Sequence, residues 1–141
     1  MEDVFVGSLM SSPVHTISGD ATLREAAALL LDHDVGAAVV VDETGRLDGI
    51  LTATDFVTVV ADGTGDYDPA TSVATAMSTD VVTTTVNDTV EAAADLMIES
   101  GHYHLPVVDA DGVVIGVITS HDLTAYVSTV RTPSPPSRAE R

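Results

Sequence analysis

Gly49-Ile50-Leu51-Thr52-Ala53-Thr54-Asp55 returns as Gly116-Val117-Ile118-Thr119-Ser120-His121-Asp122, at an offset of 67 positions (Asp122 minus Asp55). In each copy an apolar run ends in Thr, two variable residues and Asp, the pattern of a strand handing over to a helix. The offset extends outward without a gap, Met10 to Val60 overlying Met77 to Val127. Val40-Val41-Asp42 matches Val107-Val108-Asp109, and Gly45 matches Gly112. Thr22, Ala26, Ala27 and Leu29 match Thr89, Ala93, Ala94 and Leu96, and Met10-Ser11 matches Met77-Ser78. A unit this short rarely buries enough apolar surface to fold alone. Two copies must pack on each other, and a pseudo-symmetric pair leaves clefts between them that offer similar groups.

Each copy reads as strand, helix, strand, strand, helix. In the first, Val14 to Ile17 alternates and ends in the turn cluster Ser18-Gly19-Asp20. Leu23, Ala26, Ala27 and Leu30 then lie on one face of a helix running from Thr22 to His33. Thr22 with Glu25 has the spacing of a capping box, and Asp88 with Glu91 offers the same in the second copy. Ala37 to Val41 is a strand buried on both faces, Asp42 to Gly45 a turn, Leu47 to Leu51 a strand, and Asp55 to Val60 a helix. The second copy predicts strands at Val81 to Thr85, Leu105 to Val108 and Val113 to Ile118, with helices at Val90 to Ser100 and Asp122 to Val130. Val6 to Met10 and Val73 to Met77 form a short lead-in to each unit, and Met10 and Met77 read as core filler. The division is repeat one at 6–61, a flexible linker at 62–72, repeat two at 73–130, and a Pro/Ser-rich disordered tail at 131–141.

The 141 residues suffice for one compact domain of α/β class. No cysteine is present, which excludes disulfides and thiolate metal sites. The acidic start Met1-Glu2-Asp3 does not look like a signal peptide, and no apolar run approaches the ~18 residues that span a bilayer, so a cytoplasmic location is expected. Twenty-two acidic residues face five arginines and no lysine, a formal net charge of −17. Such a chain repels phosphate backbones and anionic lipid surfaces, so neither nucleic acid nor membrane is an expected partner. The acids are scattered through a patterned, apolar chain, as in halophilic proteins, where salt screens self-repulsion.

The two Thr-x-x-Asp sites carry the chemistry. A helix start presents unpaired N–H groups and a positive dipole end. Thr adds a hydroxyl, and Asp can accept from neighbouring sugar hydroxyls. The same spacing is also a plain capping box. Both roles can hold together. His102, His104 and His121 gather near one cleft, but their spacing fits no standard zinc motif, and no metal site is expected. No catalytic arrangement can be argued from residue order, and no enzyme activity is expected.

The run Val-x-x-x-Met-Ser, Val-x-Thr-Ile, Thr-Leu-x-Glu-Ala-Ala, Val-Val-Val-Asp and Gly-x-Leu-x-Gly-Ile-Leu-Thr-x-x-Asp resembles the cystathionine beta-synthase (CBS) domain, from about Val6 to Val130. His104-Leu105-Pro106-Val107-Val108-Asp109 carries the family's Leu-Pro hallmark; Ala38-Val39 replaces it in the first copy. The resemblance implies a Bateman module: two pseudo-symmetric repeats with small sheets packed together, regulatory rather than catalytic, binding adenosine-containing ligands in the inter-repeat clefts.

Carried over residue by residue, the resemblance puts the ribose acid on Asp55 and Asp122. It puts the neighbouring hydroxyl on Thr52 and Thr119, the turn on Thr54, Ser120 and His121, base-flanking groups on Gly36, Ala37, Tyr103 and His104, and an apolar contact on Val6 and Val73. Repeat two, keeping Leu105-Pro106, is expected to own the tighter cleft. With Arg24 as the only candidate cleft arginine, and phosphate held mainly by helix-start N–H groups, AMP and S-adenosylmethionine rank above ADP, and ADP above ATP. No resident cofactor is expected. The expected partners are the small adenosyl ligand, an unknown protein and a second copy of the chain, meeting through Val57, Val60, Leu123 and Val127. Two alternatives stand beside this reading: a ligand-free dimerisation module and a divalent-ion sensor.

Overall fold

The computed structural model describes residues 3–12, 14–62 and 68–130. The middle of the expected linker (63–67) and the expected disordered tail (131–141) lie outside the described residues. The chain runs α1 (Val6–Leu9), β1 (Thr16–Ser18), α2 (Leu23–His33), β2 (Ala37–Val41), β3 (Leu47–Thr52), α3 (Ala53–Ala61), α4 (Val73–Ala76), α5 (Val90–Ser100), β4 (His104–Val108), β5 (Val114–Thr119) and α6 (Ser120–Val130). Two small sheets result, β1-β2-β3 and β4-β5. β1 runs parallel to β2, and both hairpins are antiparallel with one register shift each, between Val40 and Val41 and between Val107 and Val108.

The predicted strand from Val81 to Thr85 is not formed. Only Thr84 bridges to Val107 there. In repeat one the parallel ladder begins where the Val39 N–H donates to the His15 carbonyl. The matching residue in repeat two is Pro106, which has no N–H to give, so that rung cannot exist. The hallmark Leu-Pro thus shortens the sheet it belongs to. Asp88 is also reassigned. It does not cap α5 with Glu91; its carboxylate accepts from the buried Thr84 hydroxyl at 2.7 Å and the Thr85 N–H at 3.0 Å, which hold its pKa below the usual carboxylate range. Thr89 caps α5 instead, accepting from the Ala92 N–H. In repeat one the Thr22–Glu25 capping box forms as expected.

Two cores lie beneath the sheets. One gathers Leu23, Ala26, Val40, Leu51 and Val73; the other gathers Val6, Ala93, Met97, Leu105, Val107 and Ile118. Val6 opens repeat one yet packs in the core of repeat two, and Val73 opens repeat two yet packs in the core of repeat one. The lead-ins are therefore exchanged. Ser11 bridges to Val117 and Ser78 to Ile50, and the Val6 and Val73 N–H groups donate to Asp88 and Ala21 carbonyls at 2.9 and 2.7 Å. Each crossing presses on a glycine: a Cβ on Gly49 would lie 2.7 Å from the Ser78 oxygen, and one on Gly116 would lie 2.6 Å from Met10 Sδ. Met10 and Met77 fill the space beside those glycines and pack on the two cores. The hairpin tips meet as well, Arg46 bridging to Val113 and its Nε donating to the Asp111 carbonyl at 2.8 Å. Neither repeat is a separable body.

Candidate functional site

Both Thr-x-x-Asp turns fold as capping boxes. Asp55 Oδ2 accepts from the Thr52 N–H at 2.7 Å and its hydroxyl at 3.2 Å; Asp122 Oδ2 accepts from the Thr119 N–H at 2.9 Å and its hydroxyl at 3.2 Å. The first N–H of each helix is tied to the residue just before the hairpin's first strand in its own repeat: Ala53 donates to the Gly36 carbonyl and Ser120 to the Tyr103 carbonyl, both at 3.1 Å. The Asp122 N–H donates back to the Thr119 hydroxyl at 3.3 Å. Of the four N–H groups at the start of α6, only that of His121 has no partner among the described residues. The helix start therefore offers a ligand far fewer free donors than expected from sequence.

Two clefts lie beside these turns. The larger, about 330 Å³, is built crosswise: Thr119, Ser120, His121 and Asp122 from repeat two face His15, Asp34, Gly36 and Ala37 from repeat one. The smaller, about 300 Å³, sets Thr52 and Thr54 against Gly101, His102 and Tyr103. His104 lines both. Its imidazole is half-buried; burial pushes its pKa down, and Asp122 nearby pulls it partly back up.

The three histidines do not share one cleft: His121 lines the larger, His102 the smaller, and His104 separates them. Among the described residues no group of three or more His, Cys, Asp or Glu is placed to hold a metal ion. Asp55 lines neither cleft, unlike its counterpart Asp122. Val6 and Val73 also line neither; they are fully buried because the lead-ins cross into the opposite cores. Leu105 and Pro106 are buried too and form no cleft wall, whereas Val39 lines the larger cleft. That removes the reason given for a tighter cleft from the Leu-Pro pair. Arg24 is exposed and lines neither cleft. Leu123 packs against the repeat-two core rather than facing outward.

Sequence reading missed His15, Asp34 and Val39. The rings of His15 and His33 stack at 3.9 Å between centroids, 19° apart in plane. Asp34 ends α2 in the left-handed conformation (φ 52°), with its N–H and that of Val35 closing onto the Leu31 and Leu30 carbonyls. The matching residue in repeat two is Gly101 (φ 74°), the usual choice for that conformation. The signal was in the self-overlay: His15 and Asp34 stand where the other copy has Val82 and Gly101.

The CBS domain profile matches the chain twice, over residues 6–62 and 71–129. The CBS domain-containing protein YhcV of Bacillus subtilis is 37% identical over 84% of this chain and 81% of its own length. The homoserine O-acetyltransferase of Methanocorpusculum labreanum is 35% identical over 84% of this chain, which spans only 23% of that enzyme. Among solved structures, the CBS domain pair of protein MJ0100, in complex with 5′-methylthioadenosine and S-adenosyl-L-methionine, superposes with a TM-score of 0.83 at 26% identity, covering 91% of this chain and 98% of that one.

Proposed function

The chain belongs to the CBS domain family, and from that premise we propose that it is a regulatory module that binds one adenosyl ligand per chain in the larger inter-repeat cleft. The observation that carries this reading is the crosswise cleft, where Asp122 keeps Oδ1 free of hydrogen bonds from the described residues and stands beside the Thr119 hydroxyl. A pocket of about 330 Å³ is within the range of small-molecule sites, roughly 300–1,000 Å³. The adenosyl compounds held by the CBS pair of MJ0100 support the ligand class. Because each cleft takes one wall from each repeat, an occupant contacts both and can bias their packing, the differential contact that a regulatory response needs.

No helix is long and apolar enough to cross a membrane. The proposed setting is the cytoplasm, and the proposed partners are a second copy of the chain and a protein that reads out the ligand. Val57 and Val60 on α3, each 65% exposed, and Val127 on α6, at 50%, supply an apolar surface for the second copy. A thermal-shift screen of adenosyl compounds and divalent ions at molar KCl tests the reading. Stabilisation by an adenosyl compound supports it; stabilisation by Mg²⁺ alone returns the ion sensor, and by neither, the ligand-free module.

A further inference from the structure

Asp34 and Asp122 enter the larger cleft from opposite repeats. Asp34 sits at the C-terminal end of α2, where the helix dipole adds partial negative charge rather than compensating the carboxylate. Neither described arginine reaches the cleft: Arg24 is exposed, and Arg46 is held at the hairpin tips. The donors that usually receive a phosphate are largely spent, since Asp122, Tyr103 and Thr119 take three of the four N–H groups at the start of α6. A 5′-phosphate in this cleft would therefore meet two carboxylates and no arginine. The remaining donors are the His15, His104 and His121 rings and the Ser11, Ser120 and Thr119 hydroxyls, and burial disfavours a charge on His104, so no permanent cation balances a buried anion there.

The left-handed Asp34 sharpens the argument. A non-glycine residue is disfavoured there relative to glycine, and repeat two avoids that strain with Gly101. A strained residue that lines a cleft is the kind of departure that accompanies a site. Its side chain does not close the cap; the cap bonds come from backbone N–H groups, which glycine would supply equally.

We infer that Asp34 is a specificity-determining residue. Together with Asp122 it makes the larger cleft exclude anions and select an adenosyl compound whose 5′ substituent is uncharged or cationic, such as a thioether or a sulfonium, over a 5′-phosphorylated nucleotide. This inference rests on the adenosyl reading of the cleft and separates two ligands, AMP and S-adenosylmethionine, that the sequence ranked together.

The test is calorimetric titration of the full chain with 5′-methylthioadenosine, S-adenosylmethionine and AMP, at one fixed molar KCl concentration without divalent ions. Wild type, Asp34→Asn and Asp34→Gly are compared. The wild type is expected to bind S-adenosylmethionine and 5′-methylthioadenosine more tightly than AMP. Both variants are expected to narrow the preference for S-adenosylmethionine over AMP by about tenfold, the effect of one charge a few ångströms away in a partly screened site. Affinity for uncharged 5′-methylthioadenosine should change less than about threefold, equivalent to ~0.7 kcal/mol, which shows that the cleft has kept its shape. Asp34→Gly should also melt higher than wild type, so lost folding cannot account for its result. If adenosyl compounds bind but AMP matches S-adenosylmethionine, or if neither variant changes their ratio, the role of Asp34 is overturned and the adenosyl reading stands. If none of the three binds the wild type, the adenosyl reading itself falls.

Discussion

Replacing Gly49 by Ala tests the exchange of lead-ins that builds both cores and both clefts. The added Cβ would lie 2.7 Å from the Ser78 carbonyl oxygen and 2.8 Å from Met77 Sδ. The sulfur ends a flexible side chain and can move. The oxygen belongs to backbone that donates to and accepts from Ile50 at 2.9 Å in both directions. Overpacking of this kind costs about 1–3 kcal/mol. Straining two backbone hydrogen bonds adds up to ~1 kcal/mol each, and the intrinsic gain of Ala over Gly in a strand returns about 0.5–1 kcal/mol. The net expectation is a loss of about 3 kcal/mol, or a fall in Tm of roughly 10 °C for a chain of this size. Gly116→Ala should cost less, since its nearest neighbour is Met10 Sδ and the Ser11 oxygen stands off at 3.0 Å. Gly112→Ala is the control: nothing lies within 4 Å of its Cβ, and only its φ of 83° is penalised, by about 1 kcal/mol. Urea unfolding of the three variants at one fixed high salt concentration gives the order. Gly49→Ala within about 0.5 kcal/mol of wild type, the scatter of ordinary surface changes, or milder than Gly112→Ala, would refute the crossing.

The paired aspartates should separate. Asp55→Ala is expected to lose about 1 kcal/mol of stability with its cap and leave ligand affinity unchanged, whereas Asp122→Ala should lose the cap and also weaken binding by roughly one to two orders of magnitude; calorimetry showing equal effects would contradict the asymmetry of the clefts. His104 sets an acid-side limit on stability: its native pKa lies below 6.5, so as pH falls through that value the unfolded chain takes up a proton the native protein refuses, and stability drops towards the lower native pKa. His104→Asn should remove that slope, and an unchanged slope by denaturant titration between pH 7.5 and 5 (roughly the histidine range) would count against it. Stability should also rise from low to molar KCl, because the fold concentrates a charge of −17; a salt-independent Tm would remove the halophilic reading of the acids.

Local structure was largely legible in the sequence. The turns at Asp42 and Asp109, the α2 and α5 periodicities and the Thr-x-x-Asp helix starts are set by residues within a few positions of each other, and the repeat confirmed each by saying it twice. What escaped was long-range. Val6 and Val73 are identical residues at equivalent places, so either core could accept either one, and nothing local tells which does. Crosswise clefts follow from that same choice, which is why the three histidines divide between two clefts and Asp55 lines neither. The failed strand at Val81 to Thr85 is different in kind: Pro106 was in view, but its missing N–H matters only once the partner strand is known. Asp34 escaped because a polar residue at a helix end reads as solvated until its conformation and its cleft are seen together.

The account rests on one adenosyl ligand held per chain beside Asp122. Native mass spectrometry of the full chain, exchanged from high salt after incubation with S-adenosylmethionine, measures this directly. The predicted result is a single ligand mass added per chain in the wild type and in Asp55→Ala, and a strongly reduced ligand-bound fraction in Asp122→Ala. A wild-type chain that carries no ligand, or an Asp122→Ala chain that carries it undiminished, would contradict the account.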